Sequence, residues 1–545
     1  MRGGAKAAIA GGVFVLVAGG LGYGVYEVVL GGDGSGGMGT ASDSSEVKTG
    51  PPDKKEIEET AEGFLKAWAS GDAKAASLLT NNETGAEPML AGYAEDAHVT
   101  KAVITPGAAV GTKVPYTVKA TVSYDGKTKP WSYSSELTVV RGLTTGKALV
   151  DWKPAVIHPQ LTEGATLETG KSSTAAIEAV DHNGKVLDKE TYPSLGPILD
   201  SLREKYGDKA GGTPGVETWI EPADKQLPDT TLLTLAKGKP GKLQTTLDAG
   251  AQAAAEKSVK DFSEASVVAV KPSTGAIRAV ANNPATGFNA AMQGKQAPGS
   301  TMKIVTAAML LEKGLITANG PTECPKEATW QGRTFHNLDN FELPASSSFT
   351  TSFARSCNTA FIKLIDDTKD DAALAKEARD VFGIGLDNWK TGITSVDGSV
   401  PEETGGEAAA QYIGQGTVQM NALNMASVTA TARNGTFRQP VIVPQSLDDR
   451  QLATASRSLP SNVTGQLNDM MRATASWGTG KAAMASVNGD KGAKTGSAEV
   501  DGQATSNSWF TGFSDDLAAA AVVQSGGHGG DAAGPVVAAV LRAGS

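Results

Sequence analysis

Apolar residues recur along this chain with several different periods, and each change of period marks a change of predicted structure. Residues 7–26 are uncharged and largely apolar, preceded by a short head holding Arg2 and Lys6 and ended by Glu27. That length suits a helix crossing a bilayer better than the shorter core of a cleaved signal, so the pattern predicts a cytoplasmic tail over 1–6 and a membrane anchor over 7–30. Everything beyond would lie outside the cell, and a removable secretion signal would leave that compartment unchanged. Residues 31–53, rich in Gly, Ser and Asp and closed by Pro51 and Pro52, read as a flexible linker. Then Ile57, Ala61, Phe64, Leu65 and Trp68 recur at helical spacing. Strand-like alternation follows: Tyr116, Val118, Ala120, Val122 and Tyr124 share a face, Asp125-Gly126 turns, and Trp131, Tyr133 and Leu137 return. A helix covering a curved antiparallel sheet fits residues 54–153.

Residues 154–240 carry weaker signals: strand-like pieces at Val186-Leu187 and over 230–235, and a helix over 197–206 that opens on proline and places Ile198, Leu199 and Leu202 on one face. This segment reads as a small spacer domain. From Lys242 the pattern strengthens, with a strand end over 243–248, an alanine-rich helix over 249–260, and a strand over 265–270 that turns at Pro272-Ser273-Thr274-Gly275 into another over 276–281. Late in the chain, residues 508–513 and 517–523 read as strands and 533–541 as a helix. Strands from both ends flanking a helical middle predict one sheet backed by the terminal helices, with an all-helical insertion, over 241–545. The expected class is α+β multidomain.

A length of 545 residues allows about three domains with separate cores. The net charge of -10 and the lack of a basic stripe exclude a nucleic-acid partner. The five histidines show no metal-ligand spacing, so no metal and no cofactor is expected. Cys324 and Cys357 are too few for a zinc site or a disulfide framework; they are either two small buried residues or a single disulfide, if the chain faces an oxidising compartment.

The stretch with chemistry in it is Ala297-Pro298-Gly299-Ser300-Thr301-Met302-Lys303, which runs into an apolar helix ended by Gly314. Three residues is close to one turn, so in a helix beginning at Ser300 the hydroxyl of Ser300 and the amine of Lys303 share a face, a nucleophile beside a base. A free lysine titrates near ~10.4, so a base working near pH ~7 needs roughly 4 kcal/mol of bias. The positive end of the helix gives about 0.3–1 kcal/mol, and burial beside a second lysine must give the rest. The pair is expected about twice by chance, and it does occur twice; Ser45-Glu46-Val47-Lys48 lies in the linker, where no packed helix forms.

The second lysine stands in Lys494-Thr495-Gly496-Ser497, and between the two motifs lies Ser356-Cys357-Asn358. The other Lys-Thr-Gly runs, at Lys48 and Lys390, sit in the linker and in a loop without a following hydroxyl, and Ser486-Val487-Asn488 ends six positions before Lys494, on the same sheet edge. The ordered trio resembles the penicillin-recognising serine transpeptidases and β-lactamases. Pro298-Gly299, Gly414-Gln415-Gly416, Gly478-Thr479-Gly480 and residues 509–513 extend the resemblance over 242–545. The layout of anchor, spacer and C-terminal catalytic domain looks like a class B penicillin-binding protein, with residues 54–153 similar to the nuclear-transport-factor-like extra domain of its low-affinity, penicillin-resistant branch. One departure stands out: the Arg-Gly pair usual in class B before an Asp-Arg-x-Gly turn is missing, since Asp181-His182-Asn183-Gly184 follows Ala175-Ala176-Ile177.

The resemblance implies a cone-like domain, a dimerisation-like spacer, and a transpeptidase domain with an antiparallel sheet and a helical subdomain. It implies Ser300, Lys303, Ser356 and Lys494 as catalytic residues and Asn358, Thr495, Gly496 and Ser497 as substrate-binding. The reaction implied is crosslinking of peptidoglycan stem peptides through a serine acyl-enzyme with release of D-alanine; β-lactams would acylate the same serine. The domain layout leaves no room for a glycosyltransferase, so a separate glycan polymerase in the membrane is the expected partner. The rival readings are a membrane-tethered serine β-lactamase and a non-catalytic β-lactam or muropeptide sensor.

Overall fold

The computed structural model describes residues 48–544 apart from 174, 226 and 501. The apolar run over 7–30 and residues 31–47 of the linker lie outside the described residues, and among the described residues no helix is long and apolar enough to cross a membrane.

Asp53 caps the first helix, Lys54–Ala69, by accepting from the Glu56 backbone while the Glu56 carboxylate accepts from the Asp53 N–H. Its buried stripe is the expected one, Ile57, Ala61, Phe64, Leu65 and Trp68. This helix, with Ala73–Ser77 and Glu83–Glu95, covers an antiparallel sheet of β1 (Val99–Pro106), β2 (Lys113–Tyr124), β3 (Lys127–Arg141) and β4 (Ala148–Val150), in that order. Asp125 and Gly126 both take positive φ, 46° and 69°, which sets the tight β2–β3 turn. An aromatic cluster of Phe64, Trp68, Tyr93, Tyr116 and Trp131 fills the space between helices and sheet.

The next segment departs from its sequence reading. It holds a three-stranded sheet, β5 (Thr166–Lys171), β7 (Val216–Glu221) and β8 (Thr230–Ala236), plus a parallel pair of β6 (Ile177–Val180) with β9 (Gly241–Gln244). Only β8 and the helix Gly196–Tyr206 follow the expected pattern; Val186 makes a single bridge to Val180 and no strand. The strand expected over 243–248 shrinks to β9 and pairs backward onto β6. The guanidinium that reaches this segment comes from Arg203, which donates to the Ala175 carbonyl (3.2 Å) and to Glu217 (2.6 Å).

Strands β10 (Ala265–Val270), β11 (Ile277–Asn283), β14 (Lys491–Ala498), β15 (Asn507–Ser514) and β16 (Leu517–Val523) form an antiparallel sheet in the order β11-β10-β16-β15-β14. Helices Ala249–Val259 and Ala533–Gly544 back one face through Ala251, Ala255, Val536, Val537 and Leu541, as the patterning predicts. The insertion between β11 and β14 covers the other face. It is not all-helical: β12 (Glu327–Trp330) and β13 (Arg333–His336) form a short hairpin around Gly332, whose φ is +83°. Strand β14 is left as the sheet edge facing that insertion.

Candidate active site

Ser300 sits where three backbone segments touch. It belongs to a 3-10 turn, Gly299–Met302, and the α-helix proper is Lys303–Glu312, so the expected helix start at Ser300 is tightened by one turn. Gly299 has φ +53°, and a Cβ there would stand 2.5 Å from the Ser497 carbonyl oxygen. A Cβ on Gly496 would meet the Pro298 oxygen at 2.9 Å and the Thr301 nitrogen at 3.0 Å. From behind, Gly414 accepts from the Gly299 N–H at 2.9 Å. Glycine at these points lets the serine turn lie directly on strand β14. Ser300 is half-buried, and among the described residues its hydroxyl makes no hydrogen bond.

Both lysines are fully buried. Lys303 Nζ donates to the Ser356 carbonyl (2.8 Å) and to Asn358 Oδ1 (2.6 Å). Lys494 Nζ donates to Ser356 Oγ (2.8 Å) and to the Thr495 carbonyl (2.9 Å). Ser356, at φ +60°, therefore stands between two amines that meet no carboxylate. Burial, reinforced by the Lys494 charge, pushes the Lys303 amine well below its ordinary range, and burial lowers Lys494 to about 7. The rings of Phe361 and Phe353 wall the two amines at 5.4 and 5.5 Å.

The turn that carries Ser356 and Asn358 is held by residues that sequence reasoning missed. Asn337, just after β13, accepts from the N–H groups of Asn358 (2.8 Å) and Thr359 (3.1 Å), and Asn358 Nδ2 donates to the His336 carbonyl (2.8 Å). Cys357 is disulfide-bonded to Cys324, which decides the alternative left open by the sequence. Thr479 Oγ1 lies 2.6 Å from Thr495 Oγ1, giving the Gly-Thr-Gly run a contact with the Lys-Thr-Gly strand. No spacing rule points to Asn337; the only signal was its place at the exit of a turn-bounded segment.

The structure thus joins Lys303, Ser356, Asn358, Lys494 and Thr495 in one hydrogen-bonded set, with Ser300, Gly496 and Ser497 against it through the backbone. The discarded Ser-x-x-Lys at Ser45 lies almost wholly outside the described residues, and the other discarded motifs make their contacts elsewhere. Thr391 is buried and donates to the Ile393 carbonyl (2.8 Å), Ser486 bonds Arg542 on a helix backing the sheet, and Gly50 contacts Arg141 of β3.

Comparison with known proteins identifies two families along the chain. The penicillin-binding protein transpeptidase domain family matches residues 265–542, and the NTF2-like N-terminal transpeptidase domain family matches residues 56–165. The chain is 30% identical over 372 residues to the peptidoglycan D,D-transpeptidase PbpA of Mycolicibacterium smegmatis, covering 56% of this chain and 73% of that protein. Among solved structures, the D,D-transpeptidase domain of a peptidoglycan glycosyltransferase from Eggerthella lenta aligns with a TM-score of 0.53 at 20% identity, over 68% of this chain and 98% of that one. A chain of a peptidoglycan synthase complex, solved for its coordination of polymerization and crosslinking, aligns with a TM-score of 0.53 at 19% identity, over 70% and 92%. With the motifs gathered around one serine and the family match spanning the sheet and its insertion, the chain belongs to the penicillin-binding protein transpeptidases, in the class B-like form that carries an NTF2-like N-terminal domain.

Proposed function

We propose that this peptidoglycan D,D-transpeptidase works through Ser300 as its nucleophile. The Ser300 hydroxyl attacks the carbonyl between the two terminal D-alanines of a stem peptide, and neutral Lys303 takes the hydroxyl proton. The backbone N–H groups of Ser300 and Ser497 receive the developing oxyanion, each such donor being worth about 2.7–4 kcal/mol in comparable sites. Ser356 passes a proton to the departing D-alanine, Asn358 holds the acyl-side amide, and Lys494 sets the field. Thr495 and Ser497, flanking Gly496, hold the terminal carboxylate. An amine from a neighbouring stem then attacks the ester, so that one peptide bond is broken and one formed, without a nucleotide.

The observation that carries this reading is the pair of buried amines, one on each side of Ser356, with only uncharged acceptors around them. Free hydroxyl and base need not touch before substrate arrives, because catalytic hydrogen bonds tighten in the loaded complex. We further place residues 7–30 as a single membrane anchor, with the catalytic domain outside the cell and a separate glycan polymerase beside it. The likeness to a chain from a synthase complex supports that partner class.

Intact-mass analysis after incubation with benzylpenicillin tests the assignment. A single adduct on the wild type that disappears in Ser300→Ala is expected. An undiminished adduct in Ser300→Ala, or none on the wild type at high dose, ends it.

A further inference from the structure

Arg355 stands one residue before Ser356, with its side chain exposed. Its guanidinium lies over the Phe341 ring, 5.6 Å from the centroid, and among the described residues it has neither a carboxylate nor a hydrogen-bond partner. Two other arginines make the same kind of stack: Arg333 over Phe335 at 5.3 Å and Arg433 over Phe513 at 4.8 Å. Each of those also binds an acid, Glu407 at 2.5 Å and Asp490 at 3.0 Å. At Arg355 the place of that acid is open. A guanidinium held against a ring has already given up part of its rotamer freedom, and its planar fork matches a carboxylate.

The stack also has a defined place beside the reaction. The Phe341 carbonyl accepts from Asn337 Nδ2 at 2.8 Å, Asn337 Oδ1 holds the Asn358 N–H at 2.8 Å, and Asn358 Oδ1 holds Lys303. Phe341 and Arg355 therefore stand on the Asn358 side of the site. On the proposed reading, a donor whose terminal carboxylate is held by Thr495 and Ser497 would run back past Ser300 toward Asn358, which directs its upstream residues to this side of the site.

We infer that Arg355 is a specificity-determining residue that binds a second carboxylate, borne by the acyl donor upstream of its D-alanine pair. The inference rests on the reading of Ser300 as the nucleophile. Stem peptides offer such a group from two sources: the α-carboxylate of the γ-linked glutamate and, where the third residue is diaminopimelate, the carboxylate on that side chain. Amidation of either removes the charge and nearly preserves the shape, so paired donors separate the two.

The experiment measures D-alanine release by the full-length protein from donors that are free or amidated at each of the two positions. For one pair, the wild type should favour the free acid by about tenfold at low salt, as a charge-assisted contact at an open site implies. The ratio should shrink as salt rises. It should fall to near one in Arg355→Gln and to an intermediate value in Arg355→Lys, which keeps the charge and loses the fork. A benzylpenicillin adduct on both variants shows that they are folded. Equal rates within both pairs for the wild type, or an unchanged ratio in Arg355→Gln, overturns the inference. Release of D-alanine from no donor at all would overturn the Ser300 reading first, and this inference with it.

Discussion

Gly414 offers a direct test of how Ser300, the proposed nucleophile, is held. It has φ +74°, and a Cβ built on it would stand 1.9 Å from the Gly299 carbonyl oxygen, 2.7 Å from the Gly299 carbonyl carbon and 2.8 Å from Met302 Cβ. Relieving that overlap moves the Gly299–Met302 turn or the Gly414 loop by about 1 Å at least, because both sides of the clash are backbone. The N–H of Gly299 is bonded to the Gly414 oxygen, so the turn cannot slide away without breaking that contact as well. Gly414→Ala should therefore lose stability on two counts, about 1–2 kcal/mol for the left-handed backbone and about 1–3 kcal/mol for overpacking. The displacement falls on Ser300, the next residue, and an error of about 1 Å in a reacting group costs on the order of 100-fold in rate. Gly314 is the matched control: φ is +66° and nothing lies within 4 Å of the added carbon, so Gly314→Ala pays the backbone cost alone. The assay is the second-order rate of acylation by a fluorescent penicillin, with Tm measured on the same samples. Acylation of Gly414→Ala at the wild-type rate, or an equal slowing in Gly314→Ala, would refute this account of the turn.

Lys494→Ala removes the like charge that helps keep Lys303 deprotonated, so the acidic limb of the acylation–pH profile should move to higher pH; a limb that stays or moves down refutes the coupling. The Cys324–Cys357 bridge spans a sequence separation of 33, which on loop-entropy grounds is worth about 3–4 kcal/mol, so Cys324→Ser should lower the unfolding free energy by that order. Acylation should slow as well, since Cys357 lies between Ser356 and Asn358, and a denaturation midpoint equal to wild type would count against this. Burial and the neighbouring Glu312 raise Glu377 from 4.5 to about 7 against the opposing pull of Arg457, so the folded state holds this proton more tightly than the unfolded chain and stability falls as pH rises between those values. Glu377→Gln should reduce the loss of Tm between about pH 5 and about pH 8, and an undiminished loss would show that other groups govern it.

Sequence patterning reached the sheet core because the signal there is strong and local. Ala265–Val270 and Leu517–Val523 are apolar on both faces and bounded by turns, and both strands fall where the pattern places them. The segment over 154–240 hides its strands for the opposite reason. β8 is half-buried throughout, and β6 pairs with β9 across more than sixty positions, a contact that no local period encodes. At the site, spacing and order pointed to Lys303, Ser356, Asn358 and Lys494, since each belongs to a short motif. The supports of those residues carry no motif: Asn337 acts through backbone N–H groups 21 and 22 positions away, and the three close glycine contacts join segments that only the fold brings together.

The neutral state proposed for Lys303 has a further ground in its hydrogen bonds, independent of any titration. An ammonium has three N–H donors, whereas a neutral amine has two and keeps a lone pair. Lys303 Nζ finds two acceptors, the Ser356 carbonyl and Asn358 Oδ1, and among the described residues no third. The charged form would leave one donor unsatisfied in a fully buried place, at a cost of about 1–3 kcal/mol before the desolvation of the charge itself. The neutral form satisfies both donors and leaves its lone pair for a proton. Asn358 is central to this arithmetic, because its amide oxygen supplies the acceptor without the negative charge. A carboxylate at the same position would bind the protonated amine and stabilise the state in which Lys303 cannot act. The fold thus surrounds Lys303 with uncharged acceptors and buries it against the weak pull of the Phe361 ring at 5.4 Å, which favours the neutral amine that the proposed base requires, and the second buried amine, Lys494, deepens that preference.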